Sequence, residues 1–490
     1  MERAMHPFWT LVLLVCFAAC GGGSGDSSSQ LDSYETPGLP GQVDEKPLPD
    51  ADFAELDVQT MLAPALRFRA RLLPGYPGVY EYVLTNTGSG YVERFLIQPA
   101  TGFAGPRPLL VVFHKYSASH ADLLNTGFLA ESAARGWHVM CPLGARGKHY
   151  GNLESQINTQ AAIELATTQF AVDTSRVYGV GFSMGGGAGA NYAARHVNPE
   201  RIMFAAFVNH TGTVSLQNEW TRAVDDTDAD DNQPFPGNNL EAPDLLESYF
   251  GGTPAARPFQ YARCSTIETD STTSFVLPSY DFARNLAHIP TLTWRITNEP
   301  VETQYLAQQT QLFHGVVAAR SPAAVEQVVP GTEHRWGTLN PAQACAFLAQ
   351  HTLQVPTAGD LLADEDGRWF RFLVTQETFQ ANGAFTRVRW TADAATRTIE
   401  VLDTDYLKRV QTSSSMIGFG LTGGVPFKVR MSAADGLPDE VLLTSLGQSA
   451  PSVVLRDGVP TTAYVWDAQA GSLLLAETDA ALHEWTITIP

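Results

Sequence analysis

Basic residues are scarce in this chain: 31 Lys and Arg stand against 51 Asp and Glu over 490 residues, a formal net charge of −20. So little positive surface to neutralise phosphates excludes nucleic acid as a partner. Cysteine is scarce too, five in all, and no C-x-x-C spacing occurs, which removes the usual signs of structural zinc and dithiol chemistry. The N-terminal apolar run, Phe8 to Ala19, is too short for a permanent membrane-spanning helix. No internal repeat stands out, so a propeller or solenoid is not indicated. What the chain has in quantity is apolar surface, 44% hydrophobic and 10% aromatic residues, enough for large cores in two or three domains.

The first fifty residues read as targeting and tether. Phe8 to Ala19 is followed by Cys20 and then by Gly21-Gly22-Gly23-Ser24-Gly25. This resembles a bacterial lipoprotein signal, with Phe17 where leucine is usual. The resemblance implies cleavage after residue 19, lipid on Cys20, and export to the cell envelope with membrane contact through the anchor alone. Residues 20–52, rich in Gly, Ser, Asp and Pro, read as a flexible tether. Of the later cysteines, Cys141 closes a core strand and is expected as a buried free thiol. Cys264 and Cys345 form the one remaining pair, and nothing in their spacing decides whether they join.

From 53 to 354 strand and helix signals alternate. Val79–Leu84 and Tyr91–Ile97 flank a turn and read as a hairpin. Leu109–Phe113, Trp137–Cys141, Arg176–Val180, Phe204–Val208, Thr291–Ile296 and Ala324–Val329 are apolar strands. Helices are expected at Ala121–Ala134, Glu154–Phe170, after Ser183, and at Pro341–His351. Such alternation makes a mostly parallel sheet covered on both faces, with ligands at the carboxyl ends of its strands. The alternation breaks over about 213–287, a lid-like insertion rich in aromatics. Within it Asp226–Asp231 resembles the start of a calcium loop but lacks the glycine at its sixth position and the glutamate at its twelfth, Gly237, and reads as a solvated acidic loop. Residues 355–369 read as a linker. Residues 370–490 carry short alternating strands, as in Trp485, Ile487 and Ile489, and read as a separate all-β sandwich that the catalytic part does not need.

The stretch that carries chemistry is Gly181-Phe182-Ser183-Met184-Gly185, a G-x-S-x-G between an apolar strand and a run of small helix formers. Such a turn holds a serine in strained backbone at the tip of a helix, whose free N–H groups stabilise negative charge. A serine hydroxyl needs a base and a group to orient the base. His334 lies between the last strand and the last helix, late in the chain as the order serine, acid, histidine requires. Glu299 follows the strand at Thr291–Ile296 and is the expected acid, with Glu302 in reserve. Oxyanion donors are expected from the backbone of Met184 and from Lys115 or Tyr116, in the loop after Leu109–Phe113. His210 is the alternative base.

Together these stretches resemble the α/β-hydrolase superfamily. The likeness is to exported esterases of the polyhydroxybutyrate-depolymerase and feruloyl-esterase type and to the catalytic domain of prolyl-oligopeptidase-like peptidases, over roughly residues 80–351. It rests on Pro108–His114, Val172–Gly186 and Gly331–His334. Two departures are Lys115, where glycine is common, and Glu299, where aspartate is usual. The resemblance implies an α/β-hydrolase fold with a lid-like insertion and a serine hydrolase acting on a small or polymeric ester without metal or organic cofactor. The C-terminal domain would then hold a glycan, polymer or protein. A peptidase and a binding protein on a retired hydrolase core are the rival expectations.

Overall fold

Strands with unbroken apolar runs belong in a sheet covered on both faces, whereas alternating ones keep one face for a core. The computed structural model follows that division. It describes residues 56–58, 66–85, 88–225, 241–269, 276–277, 281–300, 303–377, 383–433 and 436–490. The signal, the tether with Cys20, the acidic loop from Asp226 and the reserve acid Glu302 lie outside the described residues.

Ten strands form the first sheet: β1 (Leu56–Val58), β2 (Leu66–Leu72), β3 (Tyr80–Thr85), β4 (Glu93–Gln98), β5 (Arg107–Phe113), β6 (His138–Pro142), β7 (Val172–Phe182), β8 (Ala206–His210), β9 (Thr291–Ile296) and β10 (Val325–Val329). Their order is β1-β2-β3-β4-β6-β5-β7-β8-β9-β10. The first four pair antiparallel, β4 meets β6 antiparallel, and β6 through β10 run parallel. The helices are α1 (Phe128–Arg135), α2 (Leu153–Gln169), α3 (Met184–Arg195), α4 (Leu216–Asp225), α5 (Glu241–Phe250), α6 (Pro258–Ala262), α7 (Gln304–Ala318) and α8 (Pro341–Leu348). The swap of β5 and β6, followed by outward growth to β10, is the strand order of an α/β-hydrolase fold. Leu109, Val111 and Phe113 of β5 enter the core on one face, and Leu110 and Val112 the core on the other.

Two details differ from the sequence expectation, and one that it left open is decided. Chain 121–134 is not one helix but a 3-10 turn, His120–Asn125, followed by α1. Gly127 marks the break, where a Cβ would come within 2.7 Å of Pro341 Cγ. Strand β2 was not anticipated because its arginines, Arg67, Arg69 and Arg71, dilute the apolar signal. Cys264 and Cys345 are both free and buried, in different apolar clusters, as Cys141 is free and buried in its strand.

Thirteen further strands, in sheets of seven and six, make the C-terminal sandwich. Its strands alternate in burial, as in Thr386–Asp393, and Trp390, Val429 and Trp485 meet Val374, Val441 and Leu475 between the sheets. The stretch expected as a linker, 355–369, instead contains two of these strands, β11 (Ala358–Ala363) and β12 (Gly367–Trp369). Pro356 and Gly359 gave it a linker's composition, but Leu361, Leu362 and Ala363 are buried. The core also crosses this boundary. Phe282 packs on Trp369 and Phe385 at 6.0 and 5.7 Å, and Phe259 on Phe385 at 5.0 Å. Asp364, fully buried, accepts from Arg195 at 2.5 Å and Arg263 at 2.8 Å, and the two guanidinium groups also reach Glu365. Arg195 is the last residue of α3, so the sandwich is tied to the helix that starts at the nucleophile turn.

One buried carboxyl shapes the pH response of this fold. Burial pushes Glu93 up to about 7, against the N–H bonds it accepts from Ala145, Gly144 and Leu143. Between the ordinary 4.5 and 7 the native group keeps a proton that the unfolded chain has released. The Glu93 contribution to stability therefore falls as pH rises through that window, by at most about 1.4 kcal/mol per pH unit. Glu93→Gln removes this dependence. Its stability relative to wild type is expected to improve from pH 5 to about pH 7 and to level off above, read by chemical denaturation. A difference that stays constant over that range contradicts the assignment.

Candidate active site

The nucleophile turn is set by close backbone approach. β7 ends at Phe182 and α3 begins at Met184, leaving Ser183 alone between them at φ 57° and ψ −127°. That left-handed region is costly for a residue with a Cβ, and the surroundings hold it there. A Cβ on Gly181 would lie 2.1 Å from the Gly185 oxygen, and one on Gly185 would lie 2.2 Å from the Phe113 oxygen. Both positions therefore require glycine. The Ser183 N–H donates to the His210 carbonyl at 3.0 Å, and its own carbonyl accepts from Gly186 at 2.9 Å and Thr213 at 3.1 Å. The turn is thus fastened on both sides of the side chain.

The histidine and the acid come from loops at the carboxyl ends of neighbouring parallel strands. Beyond β9 and β10 the two loops stay zipped, Thr297 N–H to the Val329 carbonyl at 2.9 Å and Asn298 N–H to the Gly331 carbonyl at 3.2 Å. His334 Nδ1 is hydrogen-bonded to Glu299 Oε1, and the Thr303 hydroxyl donates to the same oxygen at 3.1 Å. The Glu299 side chain is 2% exposed. His334 Nε2 has no hydrogen-bond partner among the described residues, and the His334 ring lies 4.5 Å from that of Phe182, the residue before Ser183. An imidazole fixed at Nδ1 by a buried carboxylate keeps its proton there and presents Nε2 as an acceptor.

His210, the alternative base, is placed differently. Its Nε2 is bonded to the Thr338 hydroxyl at 3.0 Å, and its ring is buried against Phe182 at 4.6 Å. Burial first, and then the neighbouring His334, hold its pKa well below the ordinary value. It supports the turn through its carbonyl.

Of the expected oxyanion donors, Met184 is the first residue of α3, so its N–H has no carbonyl one turn back within the helix. The loop after β5 separates the other two. The Lys115 N–H donates to Asp122 Oδ2 at 3.4 Å, and Tyr116 is the other residue of this loop expected as a donor.

Beside Met184 the structure adds residues that sequence reasoning did not find. Tyr150 packs on Tyr116 at a tilt with ring centroids 5.3 Å apart, and its N–H donates to the Met184 sulfur at 3.4 Å. The Tyr150 hydroxyl donates to Glu219 at 3.0 Å and the Tyr305 hydroxyl donates to the other oxygen of the same carboxylate at 2.8 Å. Burial raises the Glu219 pKa against those two bonds. The insertion supplies Leu216, Leu246, Phe250 and Tyr261 to the same apolar cluster as Met184. None of these carries a motif, and only the folded insertion brings them to the turn.

No family model matches this chain, and no curated protein matches it. Among solved structures it is similar to an S-formylglutathione hydrolase from Agrobacterium tumefaciens, with 16% identity over 56% of this chain and 95% of that one and a TM-score of 0.39. It is similar to a ferulic acid esterase, with 16% identity, 58% and 99% coverage and a TM-score of 0.38. An acetyl xylan esterase from Paenibacillus sp. R4 shows 15% identity, 60% and 90% coverage and a TM-score of 0.39.

Proposed function

We propose that this protein is a serine hydrolase that cleaves carboxylic esters through an acyl-enzyme on Ser183. The observation that supports it is the pairing of a strained serine at the head of α3 with an imidazole held at Nδ1 by buried Glu299 and unpartnered at Nε2. In this reading Ser183 Oγ attacks the ester carbonyl carbon as its proton passes to His334 Nε2. The carbonyl oxygen takes the electron pair and is met by the N–H groups of Met184 and Tyr116. Collapse of the intermediate expels the alcohol, which takes the proton from His334 and leaves the acyl group on Ser183. Water then attacks in the same way, giving its proton to His334. The carboxylic acid leaves and Ser183 recovers its proton. Glu299 holds the imidazole at Nδ1 in each half. The reaction as written needs no metal or organic cofactor.

Esters are the proposed substrates and peptides the rival ones, since the same constellation serves both. A panel of acyl esters and short peptides, run with wild type and Ser183→Ala, tests this. The reading expects turnover of esters that Ser183→Ala abolishes. Turnover of peptides alone would move the protein to the peptidases, and no turnover of either by folded protein would favour a binding role.

We also propose that the chain is exported and anchored by lipid on Cys20. Its support is the short apolar run ending in small residues before a cysteine and a Gly/Ser tether. Palmitate is expected to label wild type and not Cys20→Ala. Equal labelling of the two rules the anchor out.

A further inference from the structure

The loop that carries Tyr116 and the loop that carries His334 are joined by one buried side chain that the proposed chemistry does not use. Asp122 sits in the 3-10 turn that follows the oxyanion loop, and it is 6% exposed. Its Oδ2 accepts the Lys115 N–H at 3.4 Å and the Trp336 Nε1–H at 2.8 Å. Trp336 lies two residues after His334, and its ring packs on Phe182 at 5.3 Å and on Phe128 at 6.0 Å. The segment behind it is pinned in turn, since Trp294 Nε1–H donates to the Thr338 carbonyl at 3.0 Å. A single carboxylate oxygen therefore holds the backbone next to Tyr116 and the indole next to His334, against the residue that precedes the nucleophile.

We infer that Asp122 is a positioning residue, which fixes the distance between the oxyanion donor on Tyr116 and the base on His334. This rests on the proposed reaction of Ser183. The physical reason is that both groups act on the same carbonyl, one at carbon and one at oxygen. Their separation must hold to a fraction of an ångström for both to engage the transition state at once. The two loops are far apart in sequence and belong to different strands, so the sheet alone does not set their spacing that finely. Turning the Lys115 N–H toward Asp122 also orients the Lys115–Tyr116 segment, and so decides where the Tyr116 N–H points.

The test is ester turnover with Asp122→Ala, Asp122→Asn, Trp336→Phe and the double variant Asp122→Ala/Trp336→Phe, each with its melting temperature. Asparagine offers one oxygen that can accept both N–H groups, so it is the conservative variant. Asp122→Ala is expected to lower kcat by about 30- to 100-fold while KM changes less than about threefold, as loss of alignment predicts. Asp122→Asn is expected to keep kcat within about tenfold of wild type. Trp336→Phe, which keeps the ring and removes the donor, should lower kcat in the same manner, and the double variant should be no worse than Asp122→Ala, because the two groups act as one unit. Should Asp122→Ala fail to fold, Asp122→Asn and Trp336→Phe decide alone. The inference is overturned if Asp122→Ala or Trp336→Phe turns over ester at the wild-type rate, if the pair is additive, or if kcat falls only in step with melting temperature. Absence of wild-type turnover on every ester is a different outcome and sinks the proposed reaction itself.

Discussion

Replacing Ser183 or His334 by alanine is expected to lower kcat for ester hydrolysis by about 10³-fold or more, and replacing both is expected to cost little beyond either. Without the base the hydroxyl keeps its proton, and without the hydroxyl the base has no nucleophile to activate. Each deletion thus removes the whole covalent route and leaves only binding and the backbone donors. Glu299→Gln should cost less, about 10²-fold, because an amide oxygen can still meet Nδ1 but offers no charge to the imidazolium. The order of the three effects is as informative as their size. Near-wild-type turnover by His334→Ala would put the base elsewhere. His210 would be the first place to look, despite the hydroxyl on its Nε2.

Removing residues 355–490 is expected to unfold the hydrolase part, not free it. This replaces the expectation, drawn from the change to alternating strands after residue 360, that a truncated enzyme keeps activity on small esters. The cut would bare Phe259 and Phe282, which pack against Trp369 and Phe385, and would leave the buried Arg195 and Arg263 without Asp364. Baring those aromatic faces to water is costly, and the ion pairs that tie α3 to the sandwich are lost with them. The point variant Asp364→Ala removes the buried partner with the sandwich still in place, leaving the two guanidinium groups only the half-exposed Glu365, and its expected loss is about 3 kcal/mol of stability, read by denaturant unfolding. Because Arg195 ends α3, the loss should reach the nucleophile turn, and turnover should fall with it at temperatures well below the melting point of wild type. A truncated chain that is soluble, cooperatively folded and active would show that the shared core is dispensable.

How much of this was legible in the sequence depended on the range of the interaction. The nucleophile turn was legible because its requirements are local: a strand, glycines at 181 and 185 and a helix appear within a few residues. The acid and histidine loops were legible because parallel strands report their own carboxyl ends, and β9 and β10 were apolar enough to find. Strand β2 was missed because its alternating arginines leave too weak an apolar run beside the unbroken strands of the sheet. The sandwich boundary was misplaced because proline and glycine mark both linkers and the ends of strands. The Tyr150–Glu219–Tyr305 contacts and the Asp122–Trp336 bond had no sequence signal at all. They join residues many tens to hundreds of positions apart, and only packing creates them.

The central claim is that Ser183 is an activated nucleophile. The most direct measurement is mass-spectrometric mapping of the adduct formed by a fluorophosphonate, whose phosphorus is attacked by an activated serine with loss of fluoride. The account predicts one adduct, on the peptide containing Ser183, formed by wild type at a rate that falls sharply in His334→Ala. No adduct on folded wild-type protein, or an adduct on another serine that persists in Ser183→Ala, would contradict it.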